Sequence, residues 1–259
     1  MSKLATTNTG VIDEFLFLTQ IDRKIDRVCK VVDEIIENDR SSMPVLHFDR
    51  YKKTITTFLN ANVMKQKMRE ILSIECKEGL RQAVDFFNYP QVLEMSRCED
   101  DLNSPNAMMD MSQYFSTLQA SPSIQLRKKL IEKADKLKCS SAIAVAMQVT
   151  LFKAITYGMR GLSEKNQELS EANMEKMTSD TANQMSTPIK QQVWMGMMFA
   201  YKSLSDIELK ECIALLESNE GKWASEFLQS VYLKMYGQVV ERVQNGLENE
   251  FPPLYLMGK

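Results

Sequence analysis

The chain has 259 residues, 32 of them basic and 34 acidic, and the net charge of −2 leaves no electrostatic footprint for nucleic acid or an anionic membrane. Nine glycines and seven prolines are few for this length, which favours long helices with short connections. A chain this long buries a substantial core without metal or disulfide staples, and it contains no apolar run of about 18 residues that would predict a membrane span.

From the N-terminus, Met1–Gly10 is polar and lacks the apolar centre of a secretory signal. A short amphipathic segment is expected at Val11–Thr19. Asp22 is placed to cap the next helix, where Ile25, Val28, Cys29, Val32, Ile35 and Ile36 form one stripe that ends before Pro44. One long helix is expected from Phe48 to Leu72, followed by a helix over Ile74–Phe87 and a short piece from Pro90 to Met95. The acidic, turn-rich stretch Cys98–Pro105 reads as a boundary. Asn106–Ala120 is a further expected helix, carrying Met108, Met109, Met111, Tyr114, Phe115 and Leu118.

Pro122 opens the following helix, with Leu126, Leu130, Ile131, Ala134 and Leu137 at helical spacing. Ser140 or Ser141 caps another, with Ile143, Met147, Leu151, Ala154 and Ile155 on its face. The polar stretch 163–184 reads as an exposed helix or a mobile connection. Pro188 is expected at the first position of a helix lined by Ile189, Val193, Met197 and Tyr201, with Trp194 and Met198 widening the stripe. Ser205 and Glu208 form a capping box ahead of Leu209, Cys212, Ile213 and Leu216. After an interruption at Ser218–Gly221 the apolar period resumes, and Asn245-Gly246 is the expected stop. The tail from Phe251 is apolar and proline-broken, as for an extended strap.

Segments repeat. Shifted by 129 positions, Leu80 falls on Leu209, Val84 on Ile213, Met64 on Val193 and Met68 on Met197. Ile25 falls on Ile143 at a shift of 118, so about eleven residues were inserted, most simply within 163–184. The expected architecture is all-α: two tandem, related antiparallel bundles of about ten helices. The first repeat spans 1–100, a connecting helix 101–122, and the second repeat 123–259.

Chemistry is sparse. His47 is the one histidine, so a multi-histidine zinc site cannot be built and any Ser-His-Asp or Cys-His catalysis would rest on this residue alone. There is no glycine-rich phosphate loop, and Glu99-Asp100-Asp101 lacks the spacing of a calcium loop. The five cysteines are scattered without a Cys-x-x-Cys pair; Cys29, Cys76 and Cys212 fall on core faces, and Cys98 and Cys139 are the disulfide candidates if the protein is exported. No cofactor is expected and no catalytic residue is assigned.

The 18 methionines stand out. They fill helix-packing gaps, or line an adaptable groove for a protein, peptide or lipid, or bind Cu(I) through Met108, Met109, Met111, Met195 and Met198. The groove residues singled out are Trp194, Met195, Met198 and Tyr201. The expected function is therefore non-enzymatic binding, with a methionine-based copper protein and an enzyme without a recognisable motif as the alternatives.

Leu215-Leu216-Glu217-Ser218-Asn219-Glu220-Gly221 and Phe86-Phe87-Asn88-Tyr89-Pro90 each resemble part of a signature, Phe-Tyr-x-Ser/Thr-Pro-x-Gly, of a bacterial family of helical domains of unknown function. The first keeps serine and glycine; the second keeps the aromatic pair and proline. The resemblance implies two tandem copies, a structural helix corner and a periplasmic or secreted location; without it the chain reads as cytoplasmic.

Overall fold

The structure is a computed structural model. It describes residues 2–74, 77–118, 122–159 and 171–252, with their side chains apart from those of 2–8, 42, 77, 78 and 171. It is all-α, with no strand among the described residues. In chain order the helices are α1 (Ser2–Thr19), α2 (Ile21–Asn38), α3 (Val45–Phe58), α4 (Ala61–Ile74), α5 (Lys77–Phe87), α6 (Pro90–Cys98), α7 (Ala107–Thr117), α8 (Pro122–Lys138), α9 (Ser140–Gly158), α10 (Glu171–Ala200), α11 (Asp206–Glu217) and α12 (Asn219–Glu250). Short 3-10 turns cover Asp39–Ser42, Glu99–Asn103 and Tyr201–Ser203.

The chain compacts into two units. One takes Met1–Arg23, Arg69–Ala144 and Pro188–Val231; the other takes Lys24–Met68, Val145–Thr187 and Tyr232–Lys259. Each unit is thus assembled from an early, a middle and a late segment.

In the first unit α1 packs on α5, and α8 packs on α11, with α6 also against α11. Phe15 is fully buried and meets Phe87 and Phe227 edge-on, at 5.9 and 5.8 Å between centroids. Such edge-to-face pairs add about 0.5–1.5 kcal/mol to plain area burial. The capping box is formed as the sequence predicts. Glu208 N–H donates to Ser205 Oγ at 3.3 Å, and Ser205 N–H donates to Glu208 Oε2 at 2.7 Å. Behind it Leu209, Cys212, Ile213 and Leu216 are all buried.

The second unit buries Phe48, Tyr51 and Ile55 of α3 with Met64 and Met68 of α4, Leu151 and Ala154 of α9, and Val239, Val243 and Leu247 of α12. Tyr51 donates its hydroxyl to Asp39 Oδ2 at 2.8 Å, which ties α3 to the turn that precedes it. Cys29 stands 3.6 Å from the Met64 sulfur, a thiol-to-thioether contact. His47 meets Phe251 edge-on at 6.0 Å, and Arg50 lies over the same ring while pairing with Glu250 at 2.8 Å.

The structure departs from the sequence-based expectation at four helix ends. The first helix begins at Ser2, not Val11. The expected long helix 48–72 is broken into α3 and α4 by Asn60. Its Oδ1 caps α4 by accepting from Val63 N–H at 3.1 Å, while its amide closes α3 on the carbonyls of Thr56 and Thr57. Pro188 does not open a helix but sits inside α10. Its missing N–H leaves one carbonyl a turn earlier without a helical donor, typically worth about 3 kcal/mol, which the burial of Ile189, Met197 and Met198 beyond it offsets. Gly246 does not stop α12, which runs on to Glu250. A Cβ there would lie 2.6 Å from Phe58 and 2.8 Å from Thr54, so glycine serves a close helix crossing rather than a terminus.

Part of the 163–184 stretch, from Glu171, belongs to α10; residues 163–170 lie outside the described residues, as do Cys76, Ser121 and the tail beyond Pro252. Among the described residues one helix, α9, is long and apolar enough to cross a membrane by length and composition, with Gln148 and Lys153 inside it.

Candidate ligand cleft

The end of α10 and the 3-10 turn after it, all in the first unit, carry the four residues the sequence singles out. The structure divides them. Met198 and Tyr201 are sealed in the core with no exposed surface, so neither lines a groove. Trp194 and Met195 are half-buried. Trp194 lies 6.4 Å from the Phe115 ring and 5.9 Å from the Lys128 ammonium, and its indole N–H is buried with no hydrogen-bond partner among the described residues.

Tyr201 instead anchors a polar node. Its hydroxyl donates to Glu99 Oε1 at 2.5 Å and accepts from Lys138 Nζ at 3.0 Å, while Lys138 also pairs with Glu99. Burial, reinforced by the Glu99 carboxylate, holds the phenol far above its ordinary titration range, so it stays a neutral donor. Arg127 adds a second clamp. It donates to Asp206 Oδ1 at 2.8 Å, to the Leu204 carbonyl at 2.9 Å and to the Tyr201 carbonyl. Together these fix the turn Tyr201–Ser203, including Lys202 on its outer side.

Outside that turn lies a cleft of about 450 Å³. One wall is α7, which presents Asp110, Gln113, Tyr114 and Thr117 at i, i+3, i+4 and i+7. Asp101 and Ser104 border it, and Phe199 and Lys202 supply the opposite side. Tyr114 and Phe199 meet edge-on at 5.9 Å. The Lys202 ammonium sits 3.9 Å above the Phe199 centroid and 2.6 Å from Asp101 Oδ2. Asp110 makes no ion pair or side-chain hydrogen bond within the described residues.

Helix α7 is unusual in this fold because none of its residues is buried. Met108 and Met109 are 73% and 65% exposed. The methionines therefore occupy two environments. Met64, Met68, Met95, Met147, Met174, Met197, Met198 and Met235 fill the core, while Met108 and Met109 of α7 and Met177 of α10 are exposed and Met111 is half-buried. The sulfurs named for Cu(I) are split between these environments, with Met198 buried and Met108 and Met109 exposed. No group of three or more His, Cys, Asp or Glu side chains is placed to hold a metal among the described residues.

The described cysteines, Cys29, Cys98, Cys139 and Cys212, are free thiols, so Cys98 and Cys139 are not paired. Burial pushes Cys29 and Cys212 up to about 11 and raises Cys98 and Cys139 as well. All four stay protonated at neutral pH, which disfavours a thiolate nucleophile.

Apolar periodicity finds buried faces, and so it selected Met198 and Tyr201 and missed the cleft. The spacing of Asp110, Gln113, Tyr114 and Thr117 was legible on α7, but its pairing with Phe199 and Lys202 joins residues about 90 positions apart. No family model matches this chain, and no curated protein or solved structure matches it either.

Proposed function

We propose that this chain is a non-enzymatic helical binding protein that takes a peptide segment in the α7 cleft. The carrying observation is the cleft itself, a concavity within the about 300–1,000 Å³ common for ligand sites, walled by a helix that buries nothing. Its lining favours a peptide over a lipid. Gln113, Ser104, Thr117 and Tyr114 supply amide and hydroxyl groups suited to backbone partners, whereas an acyl chain asks for continuous apolar walls. Weak packing of α7 supports an adaptable site, since helices with few buried contacts open at little cost. The structural node on Tyr201 and Arg127 supports the same reading by holding the far wall in place.

The body that carries the cleft is proposed to be a duplicated helical unit, the ground on which the chain resembles the family of helical domains. Shifted by 129, α5 falls on α11 and the start of α6 on the start of α12. Burial follows the shift: Leu80, Ala83, Val84 and Phe87 match Leu209, Cys212, Ile213 and Leu216, and Met95 and Ser96 match Ala224 and Ser225. Among the described residues two non-glycine residues have positive φ, Gln20 at 55° and Cys139 at 54°, and they stand at the α1–α2 and α8–α9 junctions. Single left-handed residues are uncommon, so their recurrence at matching joints supports duplication.

The test is hydrogen exchange read by mass spectrometry on protein purified from its own host, before and after ligand stripping in mild denaturant, with native mass spectrometry of the same samples. A retained peptide and slower exchange across 107–117 in the unstripped protein are expected. Identical exchange with no retained mass would overturn the reading; a retained lipid would replace the peptide.

A further inference from the structure

The charges of the cleft specify what it recognises. Lys202 is the one basic residue in the lining, and its ammonium is already engaged, 2.6 Å from Asp101 Oδ2 and 3.9 Å above the Phe199 ring. Asp110 also lines the cleft, and its side chain has no partner among the described residues. The lining therefore carries two carboxylates, one neutralised, against aromatic faces that attract cations. An ammonium held between a carboxylate and an aromatic face is already realised there by the chain's own side chain. The Lys202 side chain is still one-third exposed and projects from a three-residue turn, so it leaves the seat without disturbing a helix.

We propose that the α7 cleft is a seat for a lysine ammonium of a partner peptide, and that Lys202 occupies the seat in cis until the partner displaces it. This rests on the binding reading above and names its ligand chemistry. Asp110 supplies the charge that the internal lysine does not satisfy, and Tyr114 and Phe199 supply the faces. Displacement exchanges one ammonium for another at Asp101, so the net gain comes from Asp110, and the peptide backbone along Gln113, Ser104 and Thr117 adds a preference over a free amine. The cleft volume exceeds that of a single side chain, and these groups use the remainder.

The probe is the tripeptide acetyl-Ala-Lys-Ala-amide, followed by amide resonance shifts in the full chain. Its comparators are the norleucine and Nε-acetyl-lysine analogues, with pentane-1,5-diamine as the free amine. The expected result is that the lysine tripeptide shifts resonances of 110–117 and 199–202, while the two neutral analogues do not. Lys202→Met keeps the stem on Phe199 but removes the competitor, and tightens binding about ten-fold if the seat is self-occupied nine-tenths of the time. Asp110→Asn weakens it about ten-fold, the loss of one charge-assisted contact. Equal shifts from the norleucine peptide would overturn the ammonium seat while leaving a peptide cleft standing. An unchanged affinity in Lys202→Met would overturn the displacement. Shifts from the diamine equal to those from the tripeptide would remove the peptide as the occupant. No shift at 110–117 from any probe, with hydrogen exchange still showing a retained ligand there, would reject the lysine seat alone.

Discussion

Two corners of the first unit do the same work with different chemistry. Between α5 and α6 the chain turns through Asn88 and Tyr89, and Pro90 takes the first helical position, where its missing N–H is harmless. Between α11 and α12 it turns on Ser218 alone. Ser218 Oγ donates to the Leu215 carbonyl at 2.7 Å and accepts from Gly221 N–H at 3.0 Å, so one hydroxyl closes one helix and starts the next. The second corner is one residue shorter. At a shift of 129 the buried Val92 falls on Gly221. The apolar rhythm on either side is the same, but the tighter turn brings backbone to the place where the first corner holds a side chain.

Gly221 is where the comparison breaks most sharply. A Cβ there would lie 2.2 Å from the Leu215 carbonyl oxygen and 2.8 Å from Leu216 Cα, both backbone atoms that cannot swing aside. Gly221→Ala is expected to destabilise by about 3 kcal/mol, the upper range for overpacking. Val92→Ala, its counterpart, leaves a small void and is expected to lose about 2 kcal/mol. Urea unfolding followed by circular dichroism gives both midpoints. An alanine at 221 that costs less than the one at 92 would mean that the second corner is not held by close backbone approach.

Much of this was legible in advance. The capping box at Ser205 and Glu208 and the buried stripe behind it follow from residue spacing, because a helix repeats its faces every 3.6 residues. The helix ends at Asn60, Pro188 and Gly246 were not. Asn60 closes one helix and caps the next by side-chain bonds that leave the apolar period nearly uninterrupted. Pro188 and Gly246 carry local signals for a start and a stop, and tertiary packing overrides both. The cleft was hidden for a related reason: apart from the buried Phe199 its residues carry polar groups that leave no apolar stripe, and only folding brings Phe199 and Lys202 to α7.

The capping groups sharpen the comparison at smaller magnitude. Ser218→Ala removes the acceptor for Gly221 N–H and is expected to cost about 1 kcal/mol. Pro90→Ala, at the first corner, is expected to cost about 0.5 kcal/mol, mainly by loosening the unfolded chain. Ser205→Ala is again worth about 1 kcal/mol, and it adds a pH signature. The Ser205 backbone N–H and its hydroxyl hold the Glu208 carboxyl below its ordinary value. A carboxylate depressed by folding contributes stability above its unfolded pKa, and loses it as pH falls through the folded one. Comparing urea midpoints at pH 7 and pH 3 should therefore show a smaller acid-induced loss in Ser205→Ala than in the parent. An equal loss would mean that the box does not couple Glu208 to folding.

The smallest effects test whether the two halves share more than their corners. Gln20 and Cys139 hold φ near 55° at the junctions α1–α2 and α8–α9. Each joint ends a helix on a residue with a side chain where glycine is the usual choice, at a strain of roughly 1–2 kcal/mol. Glycine relieves that strain but widens the unfolded ensemble by roughly 0.5–1 kcal/mol. Gln20→Gly and Cys139→Gly are therefore each expected to raise stability by about 0.5 kcal/mol, read from thermal or urea midpoints. Matched gains are what two equivalent joints of a duplicated unit require. The sign at Cys139 is the more informative, since its thiol reaches the Lys136 carbonyl at 3.6 Å, whereas among the described residues Gln20 bonds through its backbone N–H, to the Phe17 carbonyl. A gain at Gln20 with a loss at Cys139 would show that the second joint has a side-chain bond that the first lacks, and that the two joints differ as the two corners do.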